Sequence, residues 1–185
     1  MDDKILQILK DSGCYQNPDG TWSCDGDVDL SCLGLTRLPV RFKEVKGSFY
    51  CHDNQLTTLE GAPEKIGGDF WCYNNKLTSL AGGPRYVGRD YWCDRNRLTT
   101  LKGAADYVGR DFWCTYNQLS TLKGAPPKIK ADFLCGYNRL ITLADGPWWV
   151  GGDYHCHHNY LTTLAVGYVG GSLLCHENSL PSDLA

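Results

Sequence analysis

The sequence predicts a parallel-strand solenoid, α+β by class but mostly β, closed at its N-terminus by a short helix and a hairpin. Three observations carry that prediction. Cys51, Cys72, Cys93, Cys114, Cys135 and Cys156 recur every 21 residues, and Cys175 follows 19 residues later. Each sits in a stretch that alternates at period two, as in Asp111-Phe112-Trp113-Cys114-Thr115. There Phe112 and Cys114 share the inner side of a strand, and Asp111, Trp113 and Thr115 face outward. Between these stretches come segments such as Gly61-Ala62-Pro63 and Gly82-Gly83-Pro84, with too many breakers for a helix. A fixed period over many copies marks a repeat array, whose units bury their apolar sides only by stacking.

The elements follow in chain order. Asp2 to Lys10 reads as a short amphipathic helix, with Ile5, Leu6, Ile8 and Leu9 on a common face and Asp2 and Asp3 at its positive end. Cys14 to Cys24 reads as a hairpin with Asn17-Pro18-Asp19-Gly20 as its turn. Together they supply the cap that a first coil needs. This divides the chain into a cap over 1–27, a solenoid over 28–180 and a short tail over 181–185. The tail offers little cover, so the strand around Leu173 and Leu174 is expected at an exposed edge.

Within the solenoid the columns agree. Phe49, Phe70, Tyr91, Phe112, Phe133, Tyr154 and Leu173 precede each cysteine by two positions. Asn54, Asn75, Asn96, Asn117, Asn138, Asn159 and Asn178 follow it by three, and leucines come next. Ile66, Val87, Val108, Ile129, Val150 and Val169 close the coils. The asparagine amide suits a ladder that satisfies backbone groups where the chain leaves the strand. One cysteine per unit at constant phase is a packing column, not a disulfide framework with its mixed spacings. These cysteines are expected to be reduced, buried and hydrophobe-like. Cys14, Cys24 and Cys32 stand outside the column, and whether Cys14 and Cys24 bridge the hairpin is open.

The unit F-x-C-x-x-N-x-L-T-x-L-x-G-x-P-x-x-V-G-G-D resembles the leucine-rich repeat L-x-x-L-x-L-x-x-N-x-L, with Phe and Cys in two leucine places. Val28 to Pro39 is closer to the ordinary form. The resemblance runs from about Val28 to the C-terminus and is similar to short repeats of bacterial and phage-encoded proteins. It implies a horseshoe with parallel strands on the concave face and a helix-poor convex face.

Composition narrows the function. A net charge of -3 over 185 residues argues against general nucleic-acid binding. No apolar run approaches the roughly 20 residues of a membrane span. The acidic N-terminus lacks the apolar core and cleavage site of a secretory signal, so the expected location is the cytoplasm; the resemblance to bacterial and phage repeats implies that of a bacterial host cell. No phosphate loop, nucleophile elbow or paired catalytic carboxylate is present, and neither enzymatic activity nor a cofactor is expected.

The outward columns carry the candidate partner-binding residues: Tyr50, Trp71, Tyr73, Trp92, Trp113, Tyr116, Tyr137, Asp90, Asp111 and Arg95. Outward tryptophans are enriched at binding hot spots, though a stack of indoles also stiffens a sheet. The aspartate column has two readings. Each carboxylate caps backbone N–H groups of the Gly-Gly turn, or the column is an acidic strip for a basic partner. His155, His157 and His176 form the alternative, a metal-binding coil. With no effector domain in the sequence, the expected function is a protein-binding module that occupies or bridges its partner. The phage resemblance adds an inhibitor of a host machine, such as a CRISPR or other defence complex. The alternative is an adaptor that binds metal or forms a homodimer through the C-terminal edge.

Overall fold

Two short strands per coil, not one, build this protein. The computed structural model describes residues 3–181. It is a mostly β solenoid of about seven coils, with Asp3–Asp11 the sole helix among the described residues. The expected strands, among them Phe70–Trp71, Tyr91–Trp92 and Phe112–Trp113, form an eight-stranded parallel sheet from Val28–Asp29 to Leu173–Leu174. Its register is one full repeat: Phe70 lies beside Tyr91 and Trp71 beside Trp92.

The second sheet stands where the sequence suggested turns and extended chain. Pairs such as Tyr86–Val87, Tyr107–Val108 and Lys128–Ile129 align into a nine-stranded sheet, with Val87 beside Val108. Val87 and Val108 are buried, so these residues do more than close the coil. Glycine follows most of these pairs, as in Tyr86-Val87-Gly88, so no alternating apolar stretch extends around those and the sequence pattern missed them.

The core lies between the sheets. Phe49, Phe70, Phe112 and Phe133, the cysteines from Cys51 to Cys156 and the leucine columns are buried. All six of these cysteines carry free thiols, as expected, while Cys175 is only partly buried. The aromatic column is matched by a second column eight positions earlier. Phe70, Phe112 and Phe133 go with Ala62, Ala104 and Ala125, whereas Tyr91 and Tyr154 go with Gly83 and Gly146. A methyl on Gly146 would stand 2.9 Å from Tyr154 Oη, and one on Gly83 would stand 3.4 Å from Tyr91 Oη. The phenol takes the room that the alanine methyl uses elsewhere.

The asparagine ladder forms as expected. Asn96, for example, accepts from the Leu77 N–H at 3.0 Å. Its amide donates to the carbonyls of Cys72, Cys93 and Asp94 at 3.1–3.2 Å. Each amide therefore ties its own coil to the one before.

At the N-terminus, Ile5 and Leu9 are buried in the core and Ile8 packs against it. The hairpin pairs Cys14 with Cys24, which form a disulfide. That settles the open pairing and removes these two from the reduced set. Hairpin strand Trp22–Cys24 also pairs in parallel with Phe42–Val45, so the cap continues the nine-stranded sheet. At the other end, Leu173 and Leu174 are half-buried beside an open groove of about 430 Å³ that Leu180 also lines. Asp2 of the expected helix and 182–185 of the expected tail lie outside the described residues.

Candidate functional site

The outer side of the eight-stranded sheet carries three adjoining columns. In the first, Trp71, Trp92 and Trp113 form one continuous stack, with the Tyr50 ring tilted against its end. Ring centroids are 4.6 Å apart for Tyr50–Trp71, 4.9 Å for Trp71–Trp92 and 4.8 Å for Trp92–Trp113. Strand register places these rings one over the next, because the spacing of paired strands, roughly 4.8 Å, leaves planar rings little other choice. The tryptophans are half-buried rather than fully outward. Their indole nitrogens are covered and have no hydrogen-bond partner among the described residues. Tyr73 packs over this column, 6.3 Å from Trp71 and 6.1 Å from Trp92. The stack therefore supports the sheet as well as lining its surface.

The neighbouring column shrinks from Tyr73 to Asp94, Thr115 and Gly136. Thr115, expected to face outward, is buried. Burial pushes the Asp94 carboxyl above its ordinary range, and Arg95 only partly offsets this.

The third column has an unusual backbone. Asp53, Asn74, Arg95, Tyr116, Tyr137, His158 and Glu177 all adopt left-handed φ values between 50° and 55°. Asn and Asp tolerate this conformation, but for bulky side chains it is strained. Here it holds a second stack at the surface. The Arg95 guanidinium lies 4.9 Å from the Tyr116 ring centre, Tyr116 stacks on Tyr137 at 4.3 Å, and Tyr137 on His158 at 4.3 Å. Tyr116 is 45% exposed and Tyr137 39%, so these two present more ring surface than the tryptophans do. No sequence signal separates a left-handed tyrosine from an extended one.

The aspartates form a ladder, but with a donor other than the Gly-Gly turn. Each Oδ1 accepts the backbone N–H of the equivalent residue one coil on: Asp90 to Asp69 at 3.1 Å, Asp111 to Asp90 at 3.1 Å and Asp132 to Asp111 at 2.9 Å. Ser172 N–H closes the series on Asp153. Arg89 and Arg110 lie 3.8 Å and 3.7 Å from Asp69 and Asp90 and offset the repulsion. Burial still raises the Asp111 carboxyl, helped by its neighbours Asp90 and Asp132. One oxygen of Asp90 and one of Asp111 are thus committed to the fold.

The C-terminal histidines pack ring on ring instead of converging on a point. His157 and His176 are stacked at 4.8 Å with planes 6° apart, and His155 lies 6.1 Å from His157. Burial and the neighbouring imidazoles hold His157 below its ordinary range.

The nine-stranded sheet has outward rings the sequence reading passed over. Tyr86 stacks on Tyr107 at 4.7 Å, and Lys128 lies 4.2 Å from the Trp149 ring centre. The repeated residue before each coil-closing valine was the available signal.

Fold and surface together define a solenoid repeat protein with a ring-lined outer face. No protein-family model matches the chain, and no curated protein matches its sequence. No helix among the described residues is long and apolar enough to cross a membrane.

Proposed function

We propose that the chain is a non-catalytic protein-binding module that occupies or bridges a macromolecular partner. The contact surface is the outer side of the eight-stranded sheet, read as the concave face of a leucine-rich-repeat-like horseshoe. The observation that carries this reading is the exposed Tyr116–Tyr137 pair on strained left-handed backbone. Asparagine at both positions would suit that backbone better. Strain held in place by the surrounding structure is concentrated at functional sites, and exposed tyrosines beside an arginine are the residue types of binding hot spots. The resemblance to phage and bacterial repeats extends the proposal to an inhibitor of a host machine such as a defence complex.

The test is a pair of substitutions with the partner captured from bacterial lysate and then purified. Tyr116→Asn with Tyr137→Asn is expected to weaken binding at least thirtyfold, as loss of about 2 kcal/mol at a hot spot requires. Melting should barely move, because relief of left-handed strain at two residues, about 2–4 kcal/mol together, offsets the loss of the Arg95–Tyr116, Tyr116–Tyr137 and Tyr137–His158 contacts, about 0.5–1.5 kcal/mol each. Trp92→Ala is a poorer probe, since the half-buried indole also contributes to stability. Unchanged binding in the double variant sends the site to another face.

A second reading, a homodimer through the C-terminal edge, is favoured by half-buried Leu173 and Leu174 on the last strand. Sedimentation should then show a dimer that Leu174→Lys converts to monomer; a monomeric wild type rejects it.

A further inference from the structure

We infer that Cys32, His52 and Asp53 form a zinc-binding site at the capped end of the solenoid, on the same outer face as the binding surface proposed above but not dependent on that reading. Cys32 is the exposed free cysteine among the described residues. It occupies, one coil earlier, the place of Asp53 and Asn74, and shares their left-handed backbone, with φ of 55°, 53° and 50°. Stacking therefore sets its thiol beside the Asp53 carboxylate, and the Cys32 N–H donates to the His52 carbonyl at 3.2 Å.

The other two donors are held in place. His52 Nδ1 and Asp53 Oδ2 share a hydrogen bond of 2.7 Å, and the imidazole lies 4.4 Å from the Tyr73 ring with planes 9° apart. Asn74 Nδ2 donates to the second Asp53 oxygen. These two hydrogen bonds fix the orientation of the Asp53 carboxylate. The Cys32 sulfur, one ring nitrogen of His52 and one carboxylate oxygen of Asp53 all lie within 4.8 Å of one another.

The donor types select the ion. Ca²⁺ and Mg²⁺ take oxygen ligands, whereas thiolate, imidazole and carboxylate together suit Zn²⁺. Tetrahedral zinc, with bonds of about 2.0–2.3 Å, sets its ligands roughly 3.4–3.6 Å apart. Binding would open the His52 Nδ1–Asp53 Oδ2 pair from 2.7 Å to that spacing and draw in the exposed Cys32 thiol. Three protein ligands leave the fourth position to water. Asn74 then acts as an outer-shell group that orients Asp53. The second acidic group with a histidine, Asp132, Asp153 and His155, is different. It has no thiol, the donor that favours zinc here over the oxygen-seeking ions.

Cobalt(II) is the probe, with zinc as competitor. The folded wild type should bind one equivalent, giving a thiolate-to-cobalt charge-transfer band and tetrahedral d–d bands that zinc abolishes. Cys32→Ser should remove the charge-transfer band. Asp53→Asn and His52→Gln should each weaken binding at least as much as Asn74→Gly, for which loss of an outer-shell partner predicts about 10–100-fold. His157→Gln with His176→Gln should leave the titration unchanged. Alkylating the exposed Cys32 of the folded wild type gives the same test without substitution. No charge-transfer band in the wild type, a band that survives Cys32→Ser or alkylation, or binding that follows His157 and His176 overturns the assignment.

Discussion

Titrated upward in pH without oxygen, the protein is expected to unfold steeply between about pH 9 and 10, where cysteines of an unfolded chain, with pKa near 8.5, ionise. Cys51, Cys72, Cys93, Cys114, Cys135 and Cys156 are free and buried. Burial holds their thiols far above the ordinary value, pushing Cys156 up to about 12 and the others in the same direction. The sign follows from which state ionises first. Below the unfolded-state pKa neither state loses protons and stability is complete. Above it the unfolded chain releases protons that the folded core retains, and stability falls with rising pH. At pH 9.5 each thiol costs about 1.4 kcal/mol, and six together roughly 8 kcal/mol. That is comparable with the whole stability of a typical domain, about 5–15 kcal/mol. Tyr91 and Tyr154, whose hydroxyls burial also pushes up, add to the loss at higher pH. Denaturant melts across this range give the slope. Cys93→Ala with Cys114→Ala should reduce it by about a third, whatever those changes do to stability itself. A slope of one or two protons would mean that the thiols ionise within folded coils.

Asn96→Ala is expected to cost about 3–5 kcal/mol and Asn96→Asp more at neutral pH. In the alanine variant the Leu77 N–H loses its acceptor, a loss of about 1–3 kcal/mol for a buried group. Three carbonyls also lose a donor, each worth about 0.5–1.5 kcal/mol net, though those of Cys72 and Cys93 keep Asn75 and Asn117. The aspartate variant keeps the acceptor but turns a carboxylate on three carbonyl oxygens. Its folded-state pKa must rise, so it should regain stability as pH falls towards 4, which the alanine variant does not. Equal stability of the two variants at pH 7 would remove the amide's donor role from the account.

Period and phase were legible in the sequence, because both are set by position. The 21-residue spacing puts like residues beside like in every coil, and that alone determined the stacked Phe, Cys, Asn and Leu columns and the parallel sheet that holds them. Asn17-Pro18-Asp19-Gly20 likewise marked its turn, since turn geometry selects those residue types. Left to tertiary structure was everything that depends on direction rather than position. The nine-stranded sheet came from residue pairs most of which run straight into glycine, with no alternating stretch around those. The aspartate ladder was expected, but its donor was set by how closely successive coils approach. Half-burial of Trp71 and Trp92 goes with Tyr73 packed over them, and Thr115 is buried although its phase in the strand faces outward. The left-handed turn that aims Tyr116 and Tyr137 outward leaves no trace in residue type, and it also sets Cys32 against Asp53. Contacts between coils are made across 21 residues of sequence, so only stacking decides which side chains meet.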